Sequence, residues 1–248
     1  MSAFYLGKNP LRWFIRTIRS KGPLRVFKVA WHTTLDATWD FVHGTETLTR
    51  IAPQDLDTES ANKSQATWYG ATRARPLMKL LKRLGLPRES GFVDFGSGKG
   101  RVVMIAAQFG FRKVVGIDFS EPLCRIALRN IEKFCGNRKL DSEVSIIHSD
   151  VVEYAIQKDE TVFFLYDPFN AIVLAQLLRN IGQSLADHPR EIHLIYNSPE
   201  YHGIMERCGL FTRSRLLEIG GNEFRVYGTG KSPDGVRAIA SSDATLTD

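Results

Sequence analysis

The run Phe92-Val93-Asp94-Phe95-Gly96-Ser97-Gly98-Lys99-Gly100-Arg101 constrains this chain more than any other stretch of it. A short apolar strand carries a carboxylate near its end, a glycine-rich turn follows, and a helix is expected to open near Lys99. Glycine takes positive φ at no steric cost and lets a ligand approach the backbone with no Cβ in the way. The first N–H groups of a helix have no partner within it and point back at the turn. Such a loop holds a ligand by its backbone, and Asp94 is placed to accept a hydrogen bond from a cationic amine.

Spacing then discriminates between ligands. A dinucleotide fingerprint is G-x-G-x-x-G, with the last glycine needed for helix–strand packing. Here the glycines fall at 96, 98 and 100, with Asp94 ahead of them and Arg101 where that fingerprint asks for glycine. This form resembles motif I of the class I S-adenosylmethionine-dependent methyltransferases. The resemblance implies that Gly96, Ser97, Gly98 and Gly100 cradle S-adenosylmethionine beside Asp94. An acidic residue about twenty positions on should end the next strand and hold ribose hydroxyls. Asp118 closes Lys113-Val114-Val115-Gly116-Ile117 and meets that requirement, with Phe119 next to it in the cofactor site.

Two further strand ends fall in order. Val144 to His148 leads to Ser149-Asp150. By resemblance Asp150 accepts from the adenine amino group; as an N-cap it would also start a short helix near Val151. Val162-Phe163-Phe164-Leu165-Tyr166 is a run suited to a strand buried on both faces of a parallel sheet. It ends in Asp167-Pro168-Phe169, similar to the [Asp/Asn]-Pro-Pro-[aromatic] motif of amino-group methyltransferases except that Phe169 replaces the second proline. Together with the glycine loop, and with the segments Phe41 to Thr47 and Trp68 to Thr72, this resembles a bacterial group of class I methyltransferases of unassigned substrate. The resemblance implies Asp167 as the catalytic residue, Tyr69 and Thr72 over the methionine end of the cofactor, and Tyr166, Phe169 and Asn170 on the substrate side. Aromatic residues at such positions also serve as core.

Alternating strands and helices from Gly91 to Tyr196 give a Rossmann-like α/β sheet. Arg213 to Ile219 and Glu223 to Tyr227, joined at Gly220-Gly221-Asn222, read as a terminal antiparallel hairpin. A seven-stranded class I methyltransferase sheet with its last strand antiparallel is expected, preceded by a helical arm. The domains divide as a basic arm and linker over 1–66, the cofactor-binding domain over 67–229, and a mobile tail over 230–248.

Charge separates the arm from the body. The chain of 248 residues carries a formal +6. Lys8, Arg12, Arg16, Arg19, Lys21, Arg25 and Lys28 precede the first acid, Asp36, so the surplus belongs to the arm. Asn9-Pro10 opens a helix there whose Leu11, Phe14, Ile15 and Ile18 share one face. That face packs on the core or, with its arginines, meets an acidic partner or a membrane surface. A near-neutral body argues against a broad nucleic-acid groove. Cys124, Cys135 and Cys208 are scattered, which suits a reducing, cytoplasmic setting, and no zinc-ligand spacing occurs, so no metal is expected.

The reading is a methyltransferase (EC 2.1.1.-) acting on an unidentified acceptor, an amine of a protein lysine or of a small molecule. The alternatives are a nicotinamide-dependent oxidoreductase and a non-catalytic module that binds S-adenosylmethionine or nucleic acid. The oxidoreductase would prefer a glycine at the position where Arg101 stands.

Overall fold

The structure is a computed structural model that describes residues 34, 36–48, 70–136, 138, 140–166 and 169–230. The arm helix after Asn9, the linker over 52–66, Trp68, Tyr69, Asp167, Pro168 and the tail after Gly230 lie outside the described residues.

A helical stretch α1 (36–43) comes first. It is followed by α2 (Ala74–Leu84), β1 (Gly91–Phe95), α3 (Arg101–Phe109), β2 (Lys113–Asp118), α4 (Glu121–Gly136) and β3 (Glu143–His148). Then come β4 (Glu160–Leu165), α5 (Ala171–Asp187), β5 (His193–Asn197), α6 (His202–Arg207), β6 (Arg213–Ile219) and β7 (Asn222–Gly228). These are the expected elements with two differences. Asp150 starts a single turn at 151–153 instead of a helix, and α3 begins two residues past Lys99 because Gly100 is left-handed.

The seven strands lie in the order β3-β2-β1-β4-β5-β7-β6. Strands β1 to β5 pair in parallel, and β7 runs antiparallel to both β5 and β6. The chain winds outward from β1 to β3, returns, and winds the other way through β4 and β5. The carboxyl ends of β1 and β4 therefore flank the crevice where an open α/β sheet binds its ligand. The antiparallel β7 between β5 and β6 departs from the 3-2-1-4-5-6 order of dinucleotide-binding folds.

Side chains alternate between two cores. Phe92, Phe164 and Ile195 face one way, against Trp39, Leu77, Leu80 and Leu81 of α1 and α2 and against α3. Val93, Phe95, Phe163, Leu165 and Tyr196 face the other way, against Val173, Leu174, Leu177 and Ile181 of α5. Every residue of β1 is buried, as a central strand covered by helices on both sides requires. The leucine stripe of α2 buries as its spacing predicts, and Gly85, left-handed at φ 59°, ends that helix. By strand alternation Asp94, Gly116 and Asp118 all project on the α2–α3 side.

Candidate functional site

The glycine loop is held in a shape that only glycine adopts freely. Gly96, Gly98 and Gly100 have φ of 82°, 53° and 82°. Gly96 and Ser97 both donate their N–H to the Ile117 carbonyl at 2.9 Å, and Gly98 donates to Asp118 Oδ2 at 2.8 Å. The loop is thus strapped to the end of β2. A Cβ on Gly116 would sit 2.8 Å from Ser97 Oγ, so that glycine is what lets the loop lie flat on the neighbouring strand. The Ser97 hydroxyl is buried without a hydrogen-bond partner among the described residues.

Two carboxylates meet beside this loop. Asp94 is only 2% exposed, and among the described residues nothing donates to it. Burial holds it well above the usual carboxylate range, and the charge of Asp118 adds to that. Asp118 accepts from the N–H groups of Gly98 and Ser120, at 2.8 and 2.9 Å. Those two bonds favour its charged form, yet burial outweighs them and pushes the carboxyl up to about 6. Each of its oxygens retains a second lone pair.

The other expected residues divide. Asp150 lies just past β3, half-buried, and accepts from Val152 N at 3.1 Å within its turn. Phe119 is half-buried, and its carbonyl lies 3.1 Å from His148 Nε2. Thr72 is buried ahead of α2, its carbonyl 3.5 Å from the Arg101 guanidinium. Tyr166 stands 37% exposed past the end of β4. Phe169, expected on the substrate side, packs instead into the α5 core, on the face of the sheet opposite Asp94. Asn170 caps α5: its side-chain oxygen accepts from Ile172 N and Val173 N at 3.0 and 3.2 Å. Removing that cap in Asn170→Ala is expected to cost about 1 kcal/mol of stability, seen as a lower urea midpoint; an unchanged midpoint would show that the cap is idle.

Sequence reasoning missed the residue that joins this loop to the rest of the fold. Arg101 enters above only as a departure from a glycine pattern. It is 2% exposed, and its guanidinium lies 3.4 Å from Asp36 and 3.2 Å from Asp40. It donates from Nε to Thr47 Oγ1 at 2.5 Å and lies 5.0 Å over the Trp39 ring. Asp40 in turn accepts from Thr47 and Leu48 N–H groups at 2.9 and 3.1 Å. Asn130 of α4 completes the joint: it accepts from Glu46 N at 2.9 Å and donates to the Lys99 carbonyl at 3.0 Å. The stretch 36–48 is therefore bonded directly to the first turn of α3. A buried arginine requires acids nearby, and Asp36, Asp40 and Thr47 were the available signal. Asn197, the last residue of β5, was also missed; it is fully buried, and neither end of its amide has a hydrogen-bond partner among the described residues.

Comparison with known proteins fits this geometry. The family described as "Histone methylation protein DOT1" matches residues 49–159. A protein of Saccharolobus islandicus (strain REY15A) named "Protein-lysine N-methyltransferase" is 27% identical over 128 residues, half of this chain and 77% of that one. The human "EEF1A lysine methyltransferase 2" is 29% identical over 66 residues, 27% of this chain and 28% of that protein's length. A solved S-adenosylmethionine-dependent methyltransferase from Aquifex aeolicus superposes with a TM-score of 0.50 at 17% identity, covering 72% of this chain and 98% of that one, which shows the shared fold. Glycine loop, acidic strand ends, strand order and these likenesses agree in what the chain is similar to, the class I S-adenosylmethionine-dependent methyltransferases.

Proposed function

We propose that this protein moves the methyl group of S-adenosylmethionine to a primary amine, the side chain of a protein lysine. The observation that carries the cofactor's placement is Asp94: a buried carboxylate with no donor, on the wall of a glycine loop, fits a ligand that brings a cation. Asp118 keeps lone pairs that suit a ribose diol, and Asp150 is the residue assigned to the adenine amine. When bound, the cofactor supplies a methyl group on a positively charged sulfur. The loop amides and the two carboxylates fix its orientation, which is the main contribution a protein makes to a direct displacement. Asp167, outside the described residues, is the group assigned to take the proton that the amine loses. The lysine acceptor is supported by the names of the archaeal and human relatives. Three unpaired thiols, Cys124, Cys135 and Cys208, support a reducing, cytoplasmic setting.

Transfer of labelled methyl to bacterial protein, followed by total hydrolysis, is expected to yield methylated lysine. Label recovered in RNA or in small molecules alone would refute the lysine assignment.

The cofactor should also bind with release of protons. Asp94 and Asp118 are both held above the ordinary carboxylate range, and a cation beside one and a diol on the other favour their charged forms. The Asp118 contribution to affinity for S-adenosylhomocysteine, which carries the same amine and diol, is expected to rise with pH through about 6 and then level off. The sign for folding is the reverse: the contribution of a raised carboxyl is full below its ordinary 3.8 and is lost as pH climbs through about 6. Calorimetry near pH 6 in two buffers of different ionisation enthalpy reads the released protons. Asp118→Asn should reduce their number, and equal numbers for variant and wild type would show that Asp118 does not meet the ligand.

A further inference from the structure

The end of β5 carries a polar group that nothing described so far uses. Asn197 is 0% exposed, and both its Oδ1 and Nδ2 are buried without a partner among the described residues. Leaving an amide in that state is unfavourable, and native structures rarely do so without a reason. By alternation the side chain lies on the face of Ile195, which is also the face of Asp94. The register aligns Asp94 with Phe164 and Phe164 with Ile195. Asn197 is therefore two strands from Asp94, about 10 Å across the sheet, and one pleat nearer the strand tips.

Its neighbours explain why it lacks a partner. On one side it is paired in register with the buried Phe224 of β7, which offers no polar atom. On the other side β4 ends, where Tyr166 is partly exposed. Beyond it the backbone is held in an unusual shape: Ser198 is the one described non-glycine residue with positive φ, at 54°, and its N–H donates to the Glu223 carbonyl at 2.9 Å. A left-handed serine costs free energy, and here it pins the strand end against the β6–β7 hairpin.

The geometry points to Asn197 as an acceptor-binding residue: its amide oxygen receives an N–H of the amine being methylated, on the far side of β4 from the cofactor's anchor at Asp94. This rests on the proposed function, since it presumes an amine acceptor at the strand tips. An uncharged amide suits that task. It accepts from an amine without a carboxylate's preference for the protonated form, and only the unprotonated nitrogen has a lone pair to attack. Tyr166, partly exposed just past the end of β4, lies next to it on the same face.

Sinefungin tests this without knowledge of the natural acceptor, because it is the cofactor analogue with a primary amine in place of the methylsulfonium. Wild-type protein is expected to bind sinefungin more tightly than S-adenosylhomocysteine. Asn197→Leu, close to the same volume, is expected to lose about tenfold of that preference, the size of one hydrogen bond to a charged group, while S-adenosylhomocysteine binds within about twofold of wild type. Asn197→Asp should restore the preference. Asn197→Leu should melt at the same or a higher temperature, since an unpartnered buried amide adds nothing to the fold. A wild type with no preference for sinefungin, a leucine variant that keeps the preference, or one that loses both ligands equally would each overturn the assignment. A wild type that binds neither nucleoside would overturn the proposed function itself, and this inference with it.

Discussion

Gly98→Val is expected to weaken S-adenosylhomocysteine binding by at least about 100-fold, or roughly 2.8 kcal/mol. Two effects act together. Gly98 sits at φ 53°, where a β-branched residue is strained by about 1–3 kcal/mol. A valine that relaxes out of this region also swings the residue-98 N–H away from Asp118 Oδ2, now 2.8 Å distant. The loop would then leave β2, and the cradle would lose both its backbone donors and the orientation of a carboxylate. Titration calorimetry measures the affinity, with circular dichroism confirming that the sheet has formed. A valine variant that is folded and binds normally would place the nucleoside elsewhere on the molecule.

Arg101→Met is expected to be the most destabilising single change, at about 3–5 kcal/mol. The guanidinium is 2% exposed and lies near two carboxylates, so its removal leaves Asp36 and Asp40 buried beside an apolar side chain. Methionine fills much of the space, which keeps the cavity contribution small and isolates the charge effect. For a domain of this size that is a fall in melting temperature of about 10 °C or more. Adding Asp36→Asn to Arg101→Met should recover part of the loss, because the two sites form one network and their effects are not additive. A single variant as stable as wild type, or a double variant that loses the sum of both, would show that the ion pairs contribute no net stability.

The fold was legible where local pattern decides it. The runs Phe92 to Phe95, apolar apart from Asp94, and Val162 to Leu165 are too short and too apolar for surface elements, and both became central strands. Gly110 stops its helix where the sequence puts a stop, while the helix from Ala74 ends two residues short of the expected Leu86, at the left-handed Gly85. The shape of the loop was legible because closely spaced residues, Gly96, Gly98 and Gly100, set it. What was not legible depends on partners far along the chain. Nothing local to Arg101 says that Asp36, Asp40 and Thr47 enclose it. Asn197 precedes Ser198-Pro199 and reads as the start of a turn; only its burial without a partner sets it apart. Phe169 and Asn170, which motif resemblance draws toward the substrate, also meet ordinary demands of the fold, one as a core residue and the other as a helix cap.

The strand order carries a consequence for how this protein is made. The final strand, β7, does not close the sheet at its rim but lies between β5 and β6. During translation β5 must leave the ribosome with one flank of its backbone amides and carbonyls unpaired, and it stays so until the last hairpin emerges. An exposed sheet edge of that kind invites pairing with other nascent chains. Chains released early, before residue 222, would keep the glycine loop and its carboxylates yet retain that sticky flank, so premature termination should produce aggregates instead of a smaller active enzyme.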